Sequence, residues 1–440
     1  MVEKLKGVWR RNRRVLGNFF SLSVLQVANY LAPLVTVPYL VRVLEPEKFG
    51  IVGFVQALIM YLVALSDYGF RFSATRKISI LRDDKARRDM VFSSVLLIKL
   101  AFVLLELVVL IGLITFIPKF RAEKMMYLFS FGTLIGNIFL LDWFFQGMER
   151  MKYITVLNVI GRTITVVAIF IFIKTPSHYI YVPLFYSLGA LFIGIASMWT
   201  VSRHFNVRLS LPVWSVVREE LRDGWHVFLA VATANIYTSG VPLLLGFLAP
   251  YEAVAPYEAV GYYTAAEKII QAGTAMLEPF SRAIFPHIGL LSTKSKDAAV
   301  ILLRKIVRVI GPVTLAISVG IALAAPWIIL IMGDQYDQSI PVLRILAFLF
   351  FAKGLGHIFL LQTMLNFKHD RAVFRIVLAS AVLCVVSAFV FIPIWSHRGA
   401  AIAGLVPEVA MLLLSGVYVQ KRYGLIDWRT ILPAIRSEHA

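Results

Sequence analysis

The chain has 440 residues, of which 59% are hydrophobic and 16% charged, and its mean hydropathy is +0.79. No soluble domain of this length needs so much apolar surface to fill its core, so the composition excludes a water-soluble fold and predicts an all-α membrane protein with many spans. The net charge of +19 does not indicate nucleic acid, because the bases sit in short loops between apolar runs, where they serve as topology signals and headgroup contacts.

A basic head (Lys4, Lys6, Arg10, Arg11, Arg13, Arg14) precedes a first apolar run at about 15–40. That run is longer than the roughly 7–15 residues of a cleaved signal's apolar core, so a retained first span is expected. Further runs, each long enough to cross a bilayer, follow at about 49–70, 90–117, 125–147, 152–173 and 180–202. After the polar stretch Arg203 to Arg222 a second set occupies about 224–248, 260–288, 301–324, 340–366, 372–395 and 399–420. About twelve helices are therefore predicted in two six-helix lobes, residues 1–213 and 214–440. An even number in each half relates the lobes as a parallel repeat, about an axis along the membrane normal.

The repeat is visible in the residues. Pro38, Leu44 and Pro46 recur at the same spacing as Pro242, Leu248 and Pro250, and Gly50 recurs as Gly261. Asp67 and Arg71 fall on Glu278 and Arg282, acid before base at i,i+4 in both copies, the order that best supports a helix ion pair. Farther on, Val166 to Ile173 echoes Val385 to Ile392. Gly132 and Gly136 have the spacing of a close internal helix contact.

Loop charges orient the bundle. Roughly thirty Lys and Arg fall on one side against fewer than ten on the other, so both termini are expected to face the cytoplasm, which with the resemblance given below implies the cytoplasmic (inner) membrane of a bacterium. The sole cysteine, Cys384, lies in an apolar run and is read as a packing residue. The sequence contains no G-x-x-x-x-G-K-[ST], no H-E-x-x-H and no G-x-S-x-G elbow, and its Cys and His residues do not cluster, so neither catalytic residues nor a metal or other cofactor is expected.

Ionisable residues at membrane depth remain. Each is costly in lipid and should face protein or water. Lys99, Glu106, Arg162, Lys353 and His357 lie nearest the middle of their spans, with Lys353 and His357 on one helix face at i,i+4. Asn29, Gln56, Asn235, Lys268 and Gln271 add polar groups in the repeated unit, and Glu267 and Glu278 are available to neutralise Lys268 and Arg282. Bases outnumber acids in this reading, which suits a phosphate or pyrophosphate substrate. Asp67, Arg71, Glu278, Arg282, Glu106 and Glu267 are the candidates for a gate or for ion coupling.

Several stretches carry a family resemblance: Asn29, T-V-P-Y-L-V-R-V-L-E-P-E-K-F-G from Thr36, L-S-D-Y-G-F from Leu65 with A-T-R-K-I-S after it, and W-F-F-Q-G-M-E-R-M-K-Y from Trp143. In combination they resemble the bacterial O-antigen and polysaccharide flippases of the multidrug/oligosaccharidyl-lipid/polysaccharide exporter superfamily. The resemblance implies a V-shaped bundle whose lobes rock around a central cationic cavity, moving a polyprenyl-pyrophosphate-linked oligosaccharide to the outer leaflet with an ion gradient or membrane potential. A monomer in the lipid bilayer is expected, with the polysaccharide polymerase and export machinery as candidate partners. The duplicated A-P-Y-E-A-V (249–260) departs from the family's short turn. Alternatives are a drug or lipid-linked peptidoglycan precursor exporter of the same superfamily, or a membrane polymerase or ligase, for which a large external loop would be expected.

Overall fold

The computed structural model describes residues 2–250 and 255–425; the side chains of 2–20, 22, 23, 226, 230, 234, 236–239, 282 and 283 lie outside the described set. Its contacts cluster into two units, Met1–Asn235 and Ile236–Ala440. Eight helical stretches among the described residues are long and apolar enough to cross a membrane.

Helix α1 (Val2–Asp67) is continuous except at Glu45, whose φ of 63° and ψ of 165° interrupt the helical path. Thr36 and Gln56 lie on opposite sides of that break, yet both reach the hydroxyl of Tyr186, so the two halves fold back as a hairpin. Its apex follows Leu44, and in the second copy helix α10 (Val241–Leu248) stops at Leu248, the repeat equivalent of Leu44. A second break separates α1 from α2 (Phe70–Ile80), with Tyr68 at φ 44° and Gly69 at φ 75°. Helix α9 (Trp214–Ser239) pins this break. Tyr68 stacks on Phe228 with ring centroids 4.9 Å apart and donates a 3.1 Å hydrogen bond to Leu221 O, while a Cβ on Gly69 would sit 2.7 Å from Val227.

Helix α3 (Lys85–Phe116) starts at Asp84, whose carboxylate caps Arg87 N at 3.1 Å. Its apolar residues Leu97, Leu100, Leu104, Leu105 and Val108 point outward, whereas Lys99, Val103, Glu106 and Leu110 are buried. The polar stripe therefore faces protein and the apolar one faces lipid, as the cost of charge in hydrocarbon requires. Helix α5 (Lys124–Ile138) packs on α8 (Tyr181–Phe205) through glycines: a Cβ on Gly136 would lie 2.5 Å from the Ala190 carbonyl carbon, and one on Gly132 would lie 2.9 Å from Ser187. The Gly132/Gly136 spacing is thus an internal helix contact. Helices α6 (Asp142–Gly147) and α7 (Met151–Phe172) complete the N-terminal unit with the short α4 (Pro118–Ala122).

The C-terminal unit continues with α11 (Pro256–Ala275), α12 (Leu277–Lys294), α13 (Lys296–Leu330), α14 (Ser339–Leu346), α15 (Phe348–His357) and a π-helical turn at Ile358–Leu365. Its core gathers Ile288, Leu303, Val307, Phe359, Met364 and Met411. Helix α16 (Asp370–Tyr423) breaks at Ser396 and also folds into a hairpin, since His369 before its start and Tyr423 at its end meet at 2.7 Å. Only glycine fits at Gly399, where a Cβ would lie 1.9 Å from the Phe391 carbonyl oxygen across that turn.

Candidate functional site

Each unit holds a cluster of charged groups at membrane depth, and in each a lysine is neutralised by a carboxylate from another helix. In the N-terminal unit Lys99, near the middle of α3 and 1% exposed, donates to Asp67 Oδ1 at 3.1 Å and to the Asn137 carbonyl at 2.8 Å. Asp67 is available because α1 ends there. The break at Tyr68 and Gly69 interrupts the i,i+4 register expected between Asp67 and Arg71, and Arg71 acts instead on Asp142 at the start of α6. Asp142 also interacts with Lys99 and with Arg162 of α7, and Arg162 in turn faces Tyr186. Gln56 joins through the same tyrosine.

Glu106 lies two turns beyond Lys99 along α3, and both of its carboxylate oxygens are enclosed without a hydrogen-bond partner. Lys99 and the Ser66 backbone are the polar groups that act on it. Asn29 is half-buried on the first arm of α1 with its side-chain oxygen likewise unpartnered. Asn235 is half-buried on α9, and among the described residues no hydrogen bond or ion pair joins it to the cluster.

In the C-terminal unit Lys353 of α15 lies 3.6 Å from Glu408 Oε1, on the second arm of the α16 hairpin, with side chains 26% and 9% exposed. Around this pair sit Glu267, which accepts from the Tyr263 hydroxyl at 3.5 Å, and Lys268, which reaches Gln271 Oε1 at 3.4 Å. Glu267 interacts with both Lys268 and Lys353. His357, one turn from Lys353, faces Lys353 and Glu278 and lines a small cavity with Ser281 and Gln362. The adjoining π-helical turn displaces the backbone register there, a feature common at functional sites. The side chain of Arg282 lies outside the described residues.

The structure therefore gathers most of the sequence candidates into two sets and adds residues that sequence reading missed: Asp142, Glu408, Asn137, and Asn158 of α7, whose side chain hydrogen-bonds Asp142. Asp142 and Glu408 carried the same signal as Lys99, an ionisable side chain inside an apolar run. Their presence corrects the expected excess of bases: Asp67, Glu106 and Asp142 face Lys99, Arg71 and Arg162, while Glu267, Glu278 and Glu408 face Lys268, Lys353 and His357. In both sets bases and carboxylates therefore stand in comparable number.

Known proteins resemble this chain in sequence and in fold. A sequence profile described as polysaccharide biosynthesis protein matches residues 15–292. Over 411 residues the chain is 30% identical to a protein of Escherichia coli (strain K12) named "Putative O-antigen transporter", an alignment covering 93% of this chain and 97% of the relative. The chain belongs to the polysaccharide biosynthesis protein family. A second relative with the same name, from Shigella dysenteriae, is 25% identical over 399 residues, 90% of this chain and 98% of its own. Among solved structures, an inward-facing multidrug resistance MATE family transporter of the MOP superfamily matches with a TM-score of 0.69 at 17% identity, over 92% of this chain and 98% of that one. The lipid II flippase MurJ in an inward closed conformation matches with a TM-score of 0.68 at 12% identity, over 90% and 87%. This member of the family has the MOP-type exporter fold and is a multi-pass membrane transporter, not an enzyme.

Proposed function

We propose that the protein carries a polyprenyl-pyrophosphate-linked oligosaccharide, an O-antigen or related repeat unit, from the cytoplasmic to the outer leaflet by alternating access. The observation that carries this reading is the pairing of membrane-depth lysines with carboxylates from other helices, Lys99 with Asp67 and Lys353 with Glu408. A pair that only filled space would be served as well by apolar residues. A pair that opens can hand its lysine to an incoming pyrophosphate and take it back after release.

The physics of the cargo calls for such groups. Each unpaired sugar hydroxyl costs ~2–7 kcal/mol in hydrocarbon, so the glycan needs a polar path while the lipid tail stays in the bilayer. The carboxylates supply counter-charge for the empty carrier, which would otherwise return with uncompensated lysines.

The same arrangement supports a membrane potential as the driving force. Neutralising Glu408 frees Lys353 and strengthens anion binding, so protons and anion bind together. An acid exterior would then hinder release. An inside-negative potential favours the outward step of the anionic headgroup at ~2.3 kcal/mol per charge per 100 mV. In proteoliposomes loaded with a pyrophosphate-linked glycan, a potassium diffusion potential, negative on the side the headgroup leaves, should accelerate translocation several-fold. An acid-outside pH gradient alone should not. The opposite pattern, or transport of a cationic drug in place of the glycan lipid, would replace this reading with that of a proton-driven exporter.

A further inference from the structure

The two arms of the α16 hairpin begin and end beside one another, and an open groove of about 890 Å³ lies between those ends. The first arm and the residues before it contribute Lys368, Arg371 and Arg375, and the second contributes Arg422. Asp370 is the acid on the lining. Among the described residues none of these four bases forms an ion pair. Their positions are supported from beneath: Arg422 lies 5.1 Å over the Tyr418 ring, His369 Nε2 meets the Tyr423 hydroxyl, and Arg304 Nε donates to Gly424 O at 3.0 Å. The field of these bases is felt locally, since burial and the Arg422 charge hold the His369 imidazole pKa below its ordinary value.

Just along the arms the groove changes character. Its walls become Ile376 and Leu414, and Phe374, Leu378, Leu413 and Val417 on the adjoining faces are all exposed. A change from cationic to apolar within about two turns is the polarity profile of a bilayer from headgroup to acyl chain.

We propose that this groove binds one anionic membrane phospholipid. Its phosphate is held by Arg371, Arg375 and Arg422, and an acyl chain lies along Ile376 and Leu414. Guanidinium groups match phosphate oxygens in charge and geometry, and a water-soluble anion would leave the apolar walls unused. The bound lipid bridges the two arms of the hairpin, one of which carries Glu408, so it steadies the helix that supplies the partner of Lys353.

The test uses the full chain, stripped of lipid in detergent and titrated separately with phosphatidylglycerol and phosphatidylcholine, with bound lipid counted by native mass spectrometry. Phosphatidylglycerol should saturate at one tight adduct per chain, with phosphatidylcholine bound more weakly. Arg371→Glu with Arg375→Glu should weaken the phosphatidylglycerol adduct about thirty-fold, as two bases worth ~1 kcal/mol each at a membrane surface predict, and leave phosphatidylcholine unchanged. The milder Arg371→Gln with Arg375→Gln guards against misfolding and should shift affinity in the same direction while eluting as a single species. Equal affinity for the two lipids, or phosphatidylglycerol affinity unchanged in both variants, overturns the proposal. Displacement of the adduct by equimolar inorganic phosphate would make the groove a general anion site, and displacement by polyprenyl pyrophosphate would assign it to the substrate; either result also overturns it.

Discussion

At the scale of single side chains, the question posed by Lys353 and Glu408 is whether their contact is structural or exchangeable. Removing one partner of a buried pair leaves an uncompensated charge, at a cost of ~3–5 kcal/mol. Here the cost should fall at or below the lower end because Lys353 is 26% exposed. Lys353→Met should therefore lower thermal stability in detergent, and adding Glu408→Leu should restore it. Transport should be lost in both, at least ten-fold. A double variant that transports like the wild type would return the pair to packing alone. Lys353 was recognisable from sequence because a lysine in the middle of an apolar span is costly unless it has a partner. Its partner was not, because Glu408 lies 55 positions away and only the fold of α16 against α15 brings them together.

Elements show a similar division. The Gly132/Gly136 spacing announced a close helix contact, and the structure identifies α8 as the neighbour. Gly136→Val should force α5 away from the Ala190 backbone and destabilise by ~1–3 kcal/mol or more, because backbone yields less readily than side chains. Gly320→Val is the control, since nothing lies within 4 Å of a Cβ there. Comparing folded yield and unfolding temperature checks this, and equal losses in the two variants would remove the contact from the explanation. The helix break at Tyr68 and Gly69 went unseen because a lone glycine in an apolar run is a weak signal. What stabilises the break is distant: the Phe228 ring, the Leu221 carbonyl and Val227, all on α9. That break moved Asp67 from a local pair with Arg71 to a tertiary one with Lys99.

For the whole molecule the matter is sidedness. The distribution of Lys and Arg predicts that the turn between α2 and α3 faces the cytoplasm and the turn between α3 and α5 faces outward. Cys384 is buried, so Cys384→Ala provides a cysteine-free background with modest loss of packing. In that background Lys85→Cys should react with an impermeant maleimide only in inside-out vesicles, and Lys124→Cys only in intact cells; both residues are exposed. The reverse pattern would invert the proposed direction of transport.

What the sequence determined by itself is what local composition and period can encode: apolar runs of membrane length, a two-fold internal repeat, the charge bias of loops, small-residue contact stripes, and ionisable residues too costly to face lipid. These follow from the transfer of side chains and backbone between water and hydrocarbon, and each depends on a short window of chain. Tertiary structure alone decided which carboxylate neutralises which base. Lys99 meets Asp67 across 32 positions and Lys353 meets Glu408 across 55, so those pairs depend on helix breaks and packing set by residues elsewhere. A charge in a low-dielectric interior is stabilised by whatever lies within a few ångströms of it, and chain order does not specify that distance.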